Sequence, residues 1–213
     1  MQTSPFIVIE GNIGAGKTTL ATMLAEADNR RLILEAFSDN PFLPLFYREP
    51  ERYAFPVEVF FMAERHRQLE AELTNRELFT EGTIADYLFV KTLLFARNSL
   101  GEQEYRLFTR LFRALDTQFP DPDLIVYLHR PVAQLQTNIR RRGRAYEQSI
   151  TDDYLLGVQR AYFEYFRTVR DTPVLVLDVG DRDFYTDTRF FGEIRQRLAA
   201  PRRAGLITID LTA

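Results

Sequence analysis

After Pro5 the chain runs through Phe6-Ile7-Val8-Ile9, a continuous apolar stretch of the kind found in strands buried on both faces. A glycine-rich turn from Gly11 to Gly16 follows, and Leu20, Ala21, Leu24 and Ala25 then recur at helical spacing over residues 18–27. Leu32-Ile33-Leu34 reads as a second buried strand that ends at Glu35. Prolines at 41, 44 and 50 make residues 38–50 irregular, with room for one short helix. Phe55, Val59, Met62, Leu69 and Leu73 mark one side of a long helix over 51–74, and Leu78-Phe79 predicts a short third strand before Gly82. Helices are expected over 84–97 and 102–117, a fourth strand at Leu124-Ile125-Val126-Tyr127-Leu128, and helices over 132–141 and 152–170. Val174-Leu175-Val176-Leu177 is a fifth strand, and a last helix covers about 186–199. Strands alternating with helices predict an α/β fold, a five-stranded parallel sheet with helices on both faces. Residues 1–200 form one domain, undivided by a linker or repeat. In the tail, 201–213, Leu206-Ile207-Thr208-Ile209 could add an edge strand.

Composition narrows the class. The 213 residues are 46% hydrophobic and 27% charged, the balance of a globular enzyme-sized domain. A net charge of −3 provides no basic field for nucleic acid or an anionic membrane, so any phosphate must be held by a local site. The chain has no cysteine, which removes disulfides and thiolate metal sites, and its two histidines, His66 and His129, are too far apart to suggest a histidine metal site. Neither a signal-peptide pattern nor an apolar run near the ~20 residues of a membrane span is present, so the expected location is cytoplasmic. Every basic residue is Arg except Lys17 and Lys91, which gives weight to a lysine at a motif position.

Such a position exists. Gly11-Asn12-Ile13-Gly14-Ala15-Gly16-Lys17-Thr18 satisfies the phosphate-loop pattern G-x-x-x-x-G-K-[ST] between a buried strand and a helix, with Thr19 following. Glycines let the backbone wrap around phosphates, inward N–H groups and the helix N-terminus supply positive potential, Lys17 reaches the β/γ-phosphates and Thr18 ligates Mg²⁺. ATP with Mg²⁺ is therefore the expected donor. No guanine-reading N-K-x-D occurs, which argues against a GTPase. Leu175-Val176-Leu177-Asp178 loosely fits the apolar strand and carboxylate of an ATPase, although Asp178 reads equally as a turn residue. Glu35, at the carboxyl end of a strand, stands where open α/β sheets bind ligands and could take a proton from an attacking hydroxyl, or could be a surface acid.

Taken together, the strand and phosphate loop, Glu35, Tyr47 ahead of Pro50-Glu51-Arg52-Tyr53-Ala54-Phe55, Glu58 with Arg65, Asp86, and Arg142-x-Arg144-x-x-Glu147 resemble the deoxynucleoside kinase family. The resemblance spans residues 4–185 and is greatest to the bacterial deoxyguanosine kinases, through Pro5-Phe6-Ile7, Phe60-Phe61 with Arg65, Ile84-Ala85-Asp86-Tyr87 and Arg142-Gly143-Arg144. It implies Glu35 as general base on the 5′-hydroxyl and Tyr47 and Glu147 as hydrogen-bond partners of the 3′-hydroxyl. It further implies a lid over about 138–150 whose Arg142 and Arg144 neutralise the transferring phosphoryl, a role suited to the permanently charged guanidinium fork. Asp181, Arg182 and Phe184 resemble the loop that contacts the donor adenine. A homodimer, built on helices including 51–74 and 84–97, is likewise implied.

Two departures from the family pattern matter. Glu58 stands where many relatives that accept cytosine or adenine carry Gln. An ionised Glu only accepts hydrogen bonds, and guanine is the base whose edge offers adjacent donors, N1–H and the 2-amino group. Alternatively Glu58 pairs with Arg65 or Arg52. The acid–Arg–Ser triplet that many relatives place ahead of Asp86 is here Thr80-Glu81-Gly82-Thr83, so Glu81 is the candidate acid near Mg²⁺ and Asp86 a base-edge acceptor or a partner of Arg65. Lys91 reads as a replacement for the missing positive charge or, slightly favoured, as a surface lysine. The expected reaction is transfer of the γ-phosphoryl of MgATP to the 5′-hydroxyl of a purine deoxynucleoside, deoxyguanosine first. Deoxyadenosine or deoxycytidine as acceptor, and a nucleotide-binding regulator without catalysis, are the alternatives.

Overall fold

The computed structural model of the chain describes residues 5–35, 40–74, 80–115 and 119–212. Six parallel strands form one sheet: β1 (Phe6–Gly11), β2 (Arg31–Ile33), β3 (Thr83–Ala85), β4 (Leu124–His129), β5 (Pro173–Asp178) and β6 (Gly205–Asp210), in the order β2-β3-β1-β4-β5-β6. The helices are α1 (Lys17–Ala27), α2 (Leu43–Phe46), α3 (Pro50–Thr74), α4 (Lys91–Ser99), α5 (Glu102–Leu115), α6 (Val132–Arg142), α7 (Asp152–Phe166) and α8 (Thr188–Ala199), with a short 3-10 turn at Ala145–Ser149.

The unbroken apolar runs follow from burial on both faces of the sheet. Leu124, Val126 and Leu128 of β4 and Leu175 and Leu177 of β5 pack with Leu20 and Leu24 of α1, Leu135 and Ile139 of α6 and Phe190 and Ile194 of α8. Their alternates, Ile125 and Tyr127, Val174 and Val176, meet Val158, Tyr162 and Phe166 of α7. On that same side, Val8, Ile33 and Ala85 pack against Val57, Met62 and Leu69 of α3 and Phe108 and Phe112 of α5. Period-two alternation thus assigns each strand residue to one of two helical layers.

The expected α/β architecture holds, with six strands rather than five. The tail closes the sheet in register beside β5, from Pro173↔Gly205 to Asp178↔Asp210, because Pro201 ends the helical run and leaves a β-branched apolar segment next to an unpaired edge. The third strand lies at Thr83–Ala85, where a helix start was expected, and α4 begins only at Lys91. Leu78-Phe79, the expected third strand, lies outside the described residues. No helix among the described residues is long and apolar enough to cross a membrane.

Candidate active site

All six strands point their carboxyl ends to one edge, and chemistry gathers where β1 has β3 on one side and β4 on the other. The phosphate loop leaves β1 there. Gly14 and Gly16 take φ values of 80° and 98°, and a Cβ on Gly14 would come within 2.8 Å of the Leu135 carbonyl, so both the turn and the close packing require glycine. Side chains lock the loop: Asn12 Nδ2 donates to the Leu155 carbonyl (2.8 Å), its Oδ1 accepts from Ile13 N–H (2.9 Å), and Asn138 Nδ2 donates to the Gly14 carbonyl (2.8 Å). Lys17 Nζ donates to the Asn12 carbonyl at 2.9 Å. Burial, helped by Lys91, lowers its pKa to about 8. The first turn of α1 carries no acidic residue, leaving its N-terminus open to an anion.

Beside the loop a cleft is lined by Gly14, Lys17, Thr18, Glu35, Arg65 and Glu58. Glu35 is clamped by two cations. Arg65 Nε and Nη2 lie 2.8 and 2.7 Å from its Oε1, and Lys91 Nζ lies 2.6 Å from its Oε2. Burial alone would raise the carboxyl's pKa, but the two cations outweigh it and hold Glu35 well below the usual carboxylate range. Arg65 also donates to Thr92 Oγ1 (3.1 Å), which fixes the guanidinium plane. Asp86, the first residue after β3, accepts from Thr18 Oγ1 at 2.6 Å and from Glu35 N–H at 2.7 Å. Behind the loop Glu10 is fully buried and accepts from Leu88 N–H and the Tyr162 hydroxyl, both at 2.7 Å; burial raises its pKa.

A second wall comes from the segment after α6. Gly143, in the left-handed conformation, ends that helix and turns the chain so that Arg142 Nη1 and Arg144 Nη1 lie 3.5 and 3.1 Å from one oxygen, Oε1 of Glu147. Glu147 is buried, and its Oε2 has no hydrogen-bond partner among the described residues. Tyr146 stacks on Tyr47 with rings 6.2 Å apart, and burial raises the Tyr47 phenol well above its ordinary pKa, keeping it a neutral donor.

On the other side of the loop, Arg130 builds a pocket. Its guanidinium donates to the carbonyls of Ala15 (3.1 Å), Gly180 (2.8 Å) and Arg182 (2.9 Å) and lies 5.6 Å over the Phe184 ring. Thr19, Arg141, Asp181 and Phe184 line this pocket, and the Phe184 ring closes under Gly16. The Arg182 guanidinium is turned to α8 and the tail, stacking 3.7 Å over Phe190 and donating to the Leu211 carbonyl (3.0 Å).

Most expected residues therefore converge: the phosphate loop with Ile13, Lys17 and Thr18, then Glu35, Tyr47, Glu58, Arg65, Asp86, Arg142, Arg144 and Glu147 line one cleft. Glu81 does not join them. It is exposed, precedes β3, and bonds through its N–H to the Asn29 carbonyl, which puts it at the amino edge of the parallel sheet, opposite Thr18. Asp86, by contrast, lies at the carboxyl edge and is hydrogen-bonded to Thr18 Oγ1 and Glu35 N–H. Lys91 is buried against Glu35 and is not a surface lysine. Its rarity in an arginine-rich chain was the available signal. Arg130 and Glu10 carried none, since their partners are distant in sequence.

A phosphate loop opening onto a cleft with a clamped carboxylate and facing arginines defines a P-loop phosphotransferase. The deoxynucleoside kinase family model matches residues 7–200, and the chain belongs to that family. It is 34% identical over 200 residues to the deoxyguanosine kinase of Bacillus subtilis (strain 168), covering 91% of this chain and 96% of that one. It is 27% identical over 203 residues to the deoxyadenosine kinase of Lactobacillus acidophilus (strain ATCC 700396 / NCK56 / N2 / NCFM), covering 90% and 94%. The structure of deoxyadenosine kinase from M. mycoides with bound dATP superposes with a TM-score of 0.74 over 92% of this chain and all of that one, at 20% identity, which is a likeness of fold. The enzyme is an ATP-dependent deoxynucleoside kinase.

Proposed function

We propose that the enzyme transfers the γ-phosphoryl of MgATP to the 5′-hydroxyl of a purine deoxynucleoside, deoxyguanosine before deoxyadenosine, giving dGMP and ADP. The observation that carries the purine choice is Glu58, a buried carboxyl facing the cleft whose Oε2 has no partner among the described residues. Guanine's N1–H and 2-amino group would supply two adjacent donors to it, a charge-assisted contact of high selectivity. Tyr47 and Glu147, which line the same cleft and act on one another, would take the 3′-hydroxyl.

Glu35 serves as base. So acidic a carboxylate is a weak base, which suits a loose phosphoryl-transfer transition state: the hydroxyl acidifies as its bond to phosphorus forms, and the proton passes late. Arg65 and Lys91 hold the carboxylate in place. Lys17 leaves the Asn12 carbonyl for phosphate oxygens, and Arg142 and Arg144 lend positive charge to the equatorial oxygens. Thr18 and Asp86 would hold Mg²⁺; two hard oxygen donors fit a cation that keeps water and phosphate as its other ligands. When bound, the cation neutralises charge on the β,γ-phosphates. The phosphate would lie over the α1 N-terminus and the adenine beside Arg130, Asp181 and Phe184. Partly exposed Val59 and Phe60 on α3 leave apolar surface for a homodimer.

Initial rates with MgATP and each of the four deoxynucleosides test the reading. Deoxyguanosine should lead and deoxyadenosine follow; a leading pyrimidine would overturn it.

A further inference from the structure

Glu58 sits on α3 and faces groups from every element around it. Arg65 shares its helix, Glu35 follows β2, Lys91 begins α4, Tyr154 comes from α7, and Tyr47 stands at the end of α2. Across the cleft are Glu147, Arg142 and Arg144. Both nearby cations are already engaged: Arg65 and Lys91 grip the two oxygens of Glu35 at 2.6–2.8 Å. The two tyrosines are held neutral by burial. The two lid arginines share Glu147. Glu58 thus is a 3% exposed carboxyl that lines the cleft without a cation of its own; its Oε2, itself buried, has no hydrogen-bond partner among the described residues, and the Ser99 hydroxyl of α4 is its neutral neighbour.

Such a group has two chemical faces. Ionised, it accepts twice and matches the two adjacent donors of guanine. Protonated, it accepts through one oxygen and donates through the other, which matches adenine's 6-amino group beside the bare N1. We propose that the protonation state of Glu58 selects the purine, the carboxylate taking deoxyguanosine and the neutral acid taking deoxyadenosine in the same cleft. This rests on the reading of Glu58 as the base-contacting residue. The balance is reachable at ordinary pH, because burial raises the Glu58 pKa to about 7, with Arg65, the Ser99 hydroxyl and Lys91 opposing and Glu35 adding to the rise.

The consequence is sharp. Under competition the ratio of kcat/KM for deoxyguanosine to that for deoxyadenosine is proportional to the ratio of ionised to neutral Glu58. That ratio rises about tenfold per pH unit. Groups used by both reactions, such as Lys17, Glu35 and the lid arginines, cancel from it, and neither purine titrates near neutrality. Both nucleosides are mixed with saturating MgATP and the wild-type enzyme between about pH 6 and 8, and the two monophosphates are separated at early times. The logarithm of the ratio should climb with a slope near one, and in Glu58→Gln it should be flat and shifted toward deoxyadenosine. A flat wild-type ratio with deoxyguanosine still preferred overturns the inference and leaves the deoxyguanosine reading standing. A sloping ratio in Glu58→Gln also overturns it, since another group would then titrate. Failure to phosphorylate either purine removes the underlying reading first. The wild-type slope is decisive even if the variant does not fold.

Discussion

Replacing Glu35 by Gln removes one charge from a buried three-group cluster and leaves two cations facing a neutral amide. With Lys91 Nζ 2.6 Å from Glu35 Oε2, the pair attraction is about 6 kcal/mol at an effective dielectric of ~20, before desolvation is subtracted. Orphaning a buried ion-pair partner costs roughly 3–5 kcal/mol, and Arg65 and Lys91 are 3% and 5% exposed at their side chains. Against a typical domain stability of about 5–15 kcal/mol, the variant should fold with a markedly lower urea midpoint. Turnover should fall by about 10²–10⁴ through loss of the general base. The double variant Glu35→Gln/Lys91→Met separates the two effects: it removes the excess charge, so stability should partly return while turnover stays lost. Urea melts, ATP titration and nucleoside monophosphate formation on the same preparations measure all three quantities. A folded Glu35→Gln with near-wild-type kcat, or a double variant that regains activity along with stability, would refute the role of Glu35 as base.

Other expectations can be checked separately. The Lys17 pKa is lowered to about 8 from 10.5, so its charged form prevails below that pH and is lost above it. ATP affinity measured by calorimetry should accordingly be level below about pH 8 and weaken as pH rises through it. Arg142→Ala should lower kcat by about 10²-fold with little change in the KM for nucleoside, because its charge is needed as the phosphoryl moves. Arg130→Met removes three bonds to the Ala15, Gly180 and Arg182 carbonyls. It should raise the KM for ATP and lower the melting temperature, while nucleoside binding stays unchanged.

Sequence reading succeeds here where the physics is local. The β1–loop–α1 unit is written in consecutive residues, and long apolar runs announce β4 and β5 because both of their faces are covered. Glu35 was legible as a strand-end acid and Arg142–Glu147 as a compact motif. β3 was misplaced because three residues, Thr83–Ala85, are too few to show a period and Ile84-Ala85 reads as well into a helix. That error carried Glu81 with it: once β3 starts at Thr83, Glu81 falls at the amino edge of the sheet and Asp86 at the carboxyl edge beside Thr18. Lys91 and Arg130 are invisible locally, since Glu35 lies 56 positions from Lys91 and the Ala15 carbonyl 115 from Arg130. The tail strand was ambiguous because it is an edge strand in which consecutive Leu206 and Ile207 are both exposed, so burial enforces no pattern.

The most direct test of the account is a crystal structure with deoxyguanosine in the cleft. Guanine N1–H and the 2-amino group should lie on Glu58, the 5′-hydroxyl within hydrogen-bond reach of Glu35, and the 3′-hydroxyl between Tyr47 and Glu147. A nucleoside bound with its base at the lid, or with its sugar against Glu58, would contradict it.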